Sequence, residues 1–228
     1  MVELITGLQA EVVRANLKRL RGEISAAAER AAGHRRGRAP REVEILAAIK
    51  YVPVDELPVL AQAGVRVVGE NRAQDLQQKV AVHGQLFQWD FIGQLQSRRV
   101  RLIVPHVRLI HSLASESALH ELQRHLALAR PGLRVLLEVN VSGEPGKAGI
   151  APEQIDEYIA RCPLPIVGLM TMPPLSSDAE DSRRWFAALR ALADARGLEH
   201  LSMGTSQDYR VAVEEGATIV RIGTSLYR

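Results

Sequence analysis

Of the 228 residues only four are lysine, Lys18, Lys50, Lys79 and Lys147, so each can be weighed individually. Lys50 holds the position that chemistry favours. It ends the run Val43-Glu44-Ile45-Leu46-Ala47-Ala48-Ile49, which is short, apolar and partly β-branched and reads as a strand buried on both faces. Desolvation at the mouth of such a strand favours the free amine, the form that condenses with an aldehyde to a Schiff base. The structural alternative is a snorkelling lysine, or one paired with Glu70.

A second feature is a tripeptide that occurs twice, Gly204-Thr205-Ser206 and Gly223-Thr224-Ser225. Glycine permits close backbone approach, and the N–H groups and hydroxyls of such turns bind phosphate. Ordinary turn and cap formation explains one such tripeptide, but two, each after a predicted strand, favour a phosphate cup. A phosphate cup beside a strand-end lysine suits pyridoxal 5′-phosphate, a phosphorylated aldehyde whose ring nitrogen also needs a partner. Arg221, directly before Ile222-Gly223, is the candidate partner.

For these residues to meet, the chain must bring several strand ends together. From Thr6 the apolar residues Val13, Leu17, Leu20, Ile24, Ala27 and Ala31 recur at steps of four and three, which predicts a long amphipathic helix with Thr6 and Gln9 as a capping box. The basic stretch His34 to Arg41 reads as a solvated loop. Strands are then predicted at 43–49, 66–69, 88–92, 108–111, 134–139, 165–169, 199–203 and 218–222. Helices are predicted at 55–63, 72–82, 95–103, 116–129, 152–161, 178–196 and 207–215. Eight β/α units without a linker imply an α/β protein in which residues 1–228 form a single (β/α)8 TIM barrel domain. Only Gly223 to Arg228 follow the last strand, too few for an ordinary outer helix, so the N-terminal helix is expected to complete the outer ring. An open doubly wound sheet is disfavoured because the early strands carry no G-x-G-x-x-G turn and no G-x-x-x-x-G-K-[ST] loop.

Barrels of this kind build their sites at the carboxyl ends of the strands. The residues there are Lys50, Glu70-Asn71, Gly93-Gln94, His111-Ser112, Glu138, Asn140, Met170-Thr171, Ser202 to Ser206 and Arg221 to Ser225. Glu138 and Asn140 share one strand face and are expected to form a polar layer inside the barrel. His111 is expected to border the pocket. Lys147, in a Gly-Glu-Pro-Gly loop, reads as an exposed loop lysine.

Composition narrows the classes. With 46% apolar and 24% charged residues the chain resembles an ordinary globular protein. No stretch approaches the roughly 18–20 consecutive apolar residues of a membrane span, and no signal-peptide layout opens the chain, which points to the cytoplasm. Lone Cys162 provides neither an internal disulfide nor a thiolate zinc site, and His106/His111 and His120/His125 are five apart, so no metal is expected. The net charge is only +3, aromatics are 4%, and no nucleic-acid module is present, so nucleic acid is not an expected partner. A monomer is the default, since the barrel uses the apolar face of the first helix.

Eight ordered blocks then carry a resemblance over nearly the whole chain. They are Leu46-Ala-Ala-Ile-Lys50-Tyr-Val-Pro53, Gly69-Glu-Asn-Arg-Ala-Gln-Asp-Leu76, Trp89-Asp-Phe-Ile-Gly-Gln-Leu-Gln-Ser97, His111-Ser112, Val139-Asn-Val141 with Gly146-Lys-Ala-Gly149, Gly168-Leu-Met-Thr-Met172, Leu201-Ser-Met-Gly-Thr-Ser-Gln-Asp208 and Val220-Arg-Ile-Gly-Thr224. The chain resembles the pyridoxal-phosphate homeostasis protein family (the YggS/PROSC family), relatives of the N-terminal barrel of alanine racemase, the fold-type III arrangement of pyridoxal-phosphate proteins. The resemblance implies that Lys50 forms the internal aldimine, that Asn71 lies near the cofactor ring, that Ser206, Gly223 and Thr224 hold the phosphate, and that Arg221 faces the pyridine nitrogen. It implies a cofactor carrier without established turnover, which buffers pyridoxal phosphate or delivers it to apo-enzymes through transient contact. Three positions depart from the family pattern: Asp90 stands for the usual His of the W-H-F-I-G block, Tyr51 for a common Thr, and Thr205 for a common Met. The tail also stops at Arg228, where relatives often continue.

No catalytic residue is assigned. Racemisation needs proton transfer at both faces of the bound substrate, and Lys50 covers one. In alanine racemases the resemblance places the second group on a β domain of the partner subunit, and the barrel is expected to use up this chain. A low-activity racemase and a phosphate-binding barrel that never uses its lysine covalently remain the alternatives.

Overall fold

The structure, a computed structural model, describes residues 4–32 and 42–228. The basic stretch 34–41 lies outside the described residues. The parallel strands β1 Glu44–Ala48, β2 Val67–Glu70, β3 Gln88–Phe91, β4 Leu109–Leu113, β5 Arg134–Glu138, β6 Ile166–Met170, β7 His200–Thr205 and β8 Ile219–Ile222 close into a barrel in sequence order. Closure is made by β1 and β8, with Leu46 opposite Arg221 and Ala47 opposite Ile222. Every predicted strand is present within two residues of its expected ends. The outer elements are α1 Ala10–Ala32, α2 Leu57–Gln62, α3 Ala73–His83, α4 Val100–Ile103, α5 Glu116–Arg124, α6 Ile155–Arg161, α7 Arg183–Asp194, α8 Tyr209–Glu214 and α9 Thr224–Tyr227. Several are shorter than their patterns suggest because a 3-10 turn takes part of the segment, as at Ser97–Arg99 before α4 and Leu126–Leu128 after α5. Among the described residues no helix is long and apolar enough to cross a membrane.

The first helix completes the outer ring as expected. Val13, Leu17, Leu20, Ile24, Ala27 and Ala31 are all buried. Its flanks are tied on one side to α2, where Arg14 donates to the Gln62 carbonyl (2.9 Å), and on the other to α8 and α9. There Arg30 meets Glu214 (2.9 Å), Asn16 donates to the carbonyls of Leu226 and Arg228 (both 3.2 Å), and Arg19 donates to that of Ser225 (3.0 Å). Two details differ from expectation. The helix starts at Ala10, and its entry is held by Gly7 and Leu8 donating to the Glu56 carboxylate (2.7 and 3.1 Å) instead of by a Thr6–Gln9 capping box. The tail after β8 forms one helical turn, α9, too short for periodicity to reveal.

Side chains alternate along each strand and sort the core into two layers. Outward-facing Ala47, Val68, Trp89, Ile110, Leu137, Leu169, Leu201 and Val220 join the helices in the outer core. Inside the barrel Leu46, Val67, Leu109, Leu136, Met170 and Ile219 form a separate apolar cluster. Each such side chain, fully buried, stabilises by about 1.5–3 kcal/mol. Two residues further along β4, β5 and β8 than Leu109, Leu136 and Ile219 stand His111, Glu138 and Arg221, buried with Asp90 and Ser202. The barrel interior is thus apolar at one level and polar above it, and the polar level lies towards the carboxyl ends.

Candidate functional site

Lys50 follows β1 in a turn and is exposed, with its Nζ 4.6 Å from the centre of the Tyr51 ring. The expected desolvation is therefore not met, and neither is the pairing with Glu70. Glu70 ends β2 fully buried, and its carboxylate takes the ammonium of Lys79 at 2.5 Å. Lys79 also donates to the carbonyl of Ile49 (2.8 Å), and the Tyr227 hydroxyl donates to that of Ala48 (3.1 Å). Two consecutive carbonyls just before Lys50 are thereby held from behind the strand. The other Glu70 oxygen accepts from the N–H groups of Asn71 (2.7 Å) and Arg72 (3.3 Å), so one carboxylate shapes both the approach to Lys50 and the turn that carries Asn71. Lys79 escaped the sequence reading. The signal was its spacing, since Ala73, Leu76 and Lys79 lie three apart and all are buried on α3.

Asn71 presents a buried amide oxygen that has no hydrogen-bond partner. Leaving such an acceptor unpaired costs about 1–3 kcal/mol, and a ligand donor would remove the cost. Its backbone is walled by Gly93, where a Cβ would come 2.0 Å from the Asn71 carbonyl oxygen.

The two tripeptides have different fates. Gly204 has φ +91°, and a Cβ there would meet the Ala212 Cβ at 2.6 Å and the Tyr209 Cα at 2.9 Å, so this glycine lets α8 close onto β7. Thr205 is committed to Asp208, its N–H and its hydroxyl both donating to Oδ1 (2.7 and 3.1 Å). Only Ser206 reaches the second turn, where its Oγ accepts from the N–H groups of Gly223 (3.2 Å) and Ser225 (3.4 Å). Two amides converging on one oxygen are the geometry a phosphate oxygen uses. Thr224 opens α9 and is exposed, while Gly223 lies beside the end of β1, with the Ala48 Cβ 3.8 Å from where its own would be. Lys50, Ser206, Gly223 and Thr224 therefore follow three laterally adjacent strands, β1, β7 and β8, at one end of the barrel.

Arg221 points into the barrel and is 6% exposed. It donates to the Ser202 hydroxyl (2.6 Å) and carbonyl (2.8 Å), the Thr171 carbonyl (3.0 Å) and Met172 Sδ (2.8 Å). Burial pushes its guanidinium down to about 10, with Glu138 and Asp208 opposing, so it stays cationic at neutral pH. Burial raises the Glu138 carboxyl against the pull of Arg221. His111 is fully enclosed, beneath the rim instead of bordering the pocket, between Ser202 (2.8 Å) and Asp90 (3.2 Å). Burial holds its imidazole below the usual range. Asn140 does not share the inward face with Glu138. It lies beyond β5 and spans the loop, donating to the Glu144 carbonyl (3.0 Å) and accepting from the Ser142 hydroxyl (2.9 Å). Lys147 of that loop meets Glu144 at 3.5 Å. A cavity of 860 Å³ lined by Glu44, Arg66, Arg108, Arg134 and His200 opens at the amino ends of the strands, the opposite end from Lys50.

Barrel and rim together define a class. Residues 14–228 match the family model described as alanine racemase, N-terminal domain. Within that class the chain belongs to the pyridoxal phosphate homeostasis protein family. A relative from Aquifex aeolicus with that name is 40% identical over 222 residues, covering 92% of this chain and 95% of its own. Among solved structures, an unknown protein from Bifidobacterium adolescentis superposes with a TM-score of 0.84 at 30% identity, over 99% of this chain and 98% of its own. PipY of Synechococcus elongatus, solved with PLP bound, gives a TM-score of 0.73 at 32% identity, over 89% of this chain and all 100% of its own.

Proposed function

We propose that this chain binds pyridoxal 5′-phosphate covalently through Lys50 and acts in the cytoplasm to hold the cofactor and deliver it, with no strong turnover of its own. The observation that carries the reading is the convergence of the Gly223 and Ser225 amides on Ser206 Oγ beside β1, the strand that Lys50 follows. An aldehyde with a phosphate tail is the ligand that needs both features, and the Synechococcus relative solved with PLP supports it.

In this reading the Lys50 amine would condense with the aldehyde carbon, the carbonyl oxygen leaving as water. Ser206, Gly223 and Thr224 would hold the phosphate, the cationic Arg221 would face the ring nitrogen, and Asn71, whose buried amide oxygen is unpartnered, would lie beside the ring. When bound, the cofactor supplies an electron-withdrawing ring. Arg221 would keep the ring nitrogen unprotonated and so weaken that withdrawal, which supports storage without deciding it, since racemases of this fold work with the same pairing. The homeostasis naming of the relatives supports the same choice over racemisation. Recipient apo-enzymes would be met transiently by a monomer, since the apolar face of α1 is already spent on the barrel.

The test is an absorbance spectrum of the purified protein with pyridoxal phosphate, before and after borohydride reduction, followed by peptide mapping. A visible band and a modified Lys50 peptide are expected, and a colourless protein overturns the proposal. Loss of optical activity from an L-amino acid, dependent on Lys50, would favour the racemase instead.

A further inference from the structure

Beneath the rim, buried polar groups form a connected run that neither aldehyde capture nor phosphate binding uses. Arg221 donates to Ser202 Oγ at 2.6 Å, and that oxygen lies 2.8 Å from His111 Nδ1. His111 Nε2 lies 3.2 Å from Asp90 Oδ2. Asp90 accepts from Arg108 through both carboxylate oxygens, at 2.8 and 3.0 Å, and Arg108 is also bound by Glu44. Asp90, His111 and Ser202 are each 0% exposed, so bulk water does not compete for the bonds among these three, while Arg108 and Glu44 at the far end are partly exposed.

The protons in this run can be assigned. A guanidinium only donates, so Ser202 Oγ accepts from Arg221 and must send its own proton elsewhere. His111 Nδ1 is placed to accept it, which puts the ring proton on Nε2, facing Asp90. A cationic His111 would instead donate to Ser202 Oγ and leave the serine proton without the ring nitrogen as its acceptor. Burial and the nearby charges of Arg221 and Arg108 act in the same direction, holding His111 neutral against Asp90.

We propose that Ser202, His111 and Asp90 are positioning residues for Arg221: hydrogen bonds running one way from Arg221 to Ser202, to His111 and to Asp90, with Arg108 as anchor, aim the guanidinium at the cofactor ring nitrogen. This rests on the reading above that Arg221 meets that nitrogen.

Two measurements test it. In apo protein labelled with ¹⁵N-histidine, long-range imidazole correlations should show His111 as the neutral Nε2–H tautomer from about pH 8 down to about pH 5.5. An Nδ1–H tautomer, or a protonated ring in that range, overturns the chain of bonds. In the second, Ser202→Ala keeps the backbone contact to Arg221 and removes the hydroxyl link. Its affinity for pyridoxal phosphate should fall about tenfold, and the pH midpoint of the visible band should move by about half a unit. A folded Ser202→Ala protein with unchanged affinity and midpoint overturns the inference. If the wild-type protein takes up no cofactor, the reading of the site fails instead, and the apo spectrum still decides the proton assignment.

Discussion

Lys50 and Lys79 serve the same strand end from opposite sides, one exposed at the rim and the other 5% exposed behind it. Lys79 is spent on Glu70 and on the Ile49 carbonyl, whereas among the described residues Lys50 faces the ring of Tyr51. Burial therefore does not mark the lysine proposed above to take the aldehyde. A buried ammonium must be paired to be tolerated, and pairing removes it from chemistry, so the inner lysine becomes a strut for the outer one. Lys79→Met should break this division most severely, because it leaves the fully buried Glu70 without its counter-charge. A loss of about 3–5 kcal/mol is expected in urea unfolding. A loss below about 1 kcal/mol would mean that Lys79 is not a strut.

The two tripeptide glycines repeat the contrast between support and contact. Gly204 occupies the left-handed region and leaves no room for a methyl group against Ala212, whereas at Gly223 the nearest atom to an added Cβ is 3.8 Å away. Gly204→Ala should cost about 2–3 kcal/mol through backbone strain and overpacking. Gly223→Ala should cost about 1 kcal/mol or less. Thermal unfolding of the two variants side by side sharpens the comparison, and equal losses would refute it.

These contrasts also show where sequence reading reaches its limit. The strands were legible because runs buried on both faces are predominantly apolar, a local signal that survives the polar residues Asp90, His111, Ser202 and Arg221 within them. Ser206, Gly223 and Lys50 were legible for a related reason, since position at a strand end is a property of the run that precedes it. The supporting groups were not. His111 and Ser202 are 91 residues apart in the chain, and their contact exists only because β4 and β7 share one lumen. Glu138 and Asn140 look equivalent by alternation, yet β5 ends at Glu138 and the alternation ends with it. Thr205 looks equivalent to Thr224 until Asp208 is seen to claim both its donors. Which member of a look-alike pair is committed depends on partners that the sequence does not bring together.

The smallest effect on stability is expected where the effect on chemistry is complete. Lys50→Ala removes an exposed side chain whose recorded contact is the Tyr51 ring, an interaction worth about 0.5–1 kcal/mol at an exposed site. Unfolding should therefore shift by no more than that, while borohydride should no longer fix pyridoxal phosphate to the protein. The supports of the strand end, Lys79 on Ile49 and Tyr227 on Ala48, remain in place in this variant. Residual phosphate-dependent binding through Ser206 and Gly223 should persist, weakened, and equilibrium dialysis can measure it. A large loss of stability in Lys50→Ala would show instead that the rim lysine is part of the scaffold, and the division of labour between the two lysines would collapse.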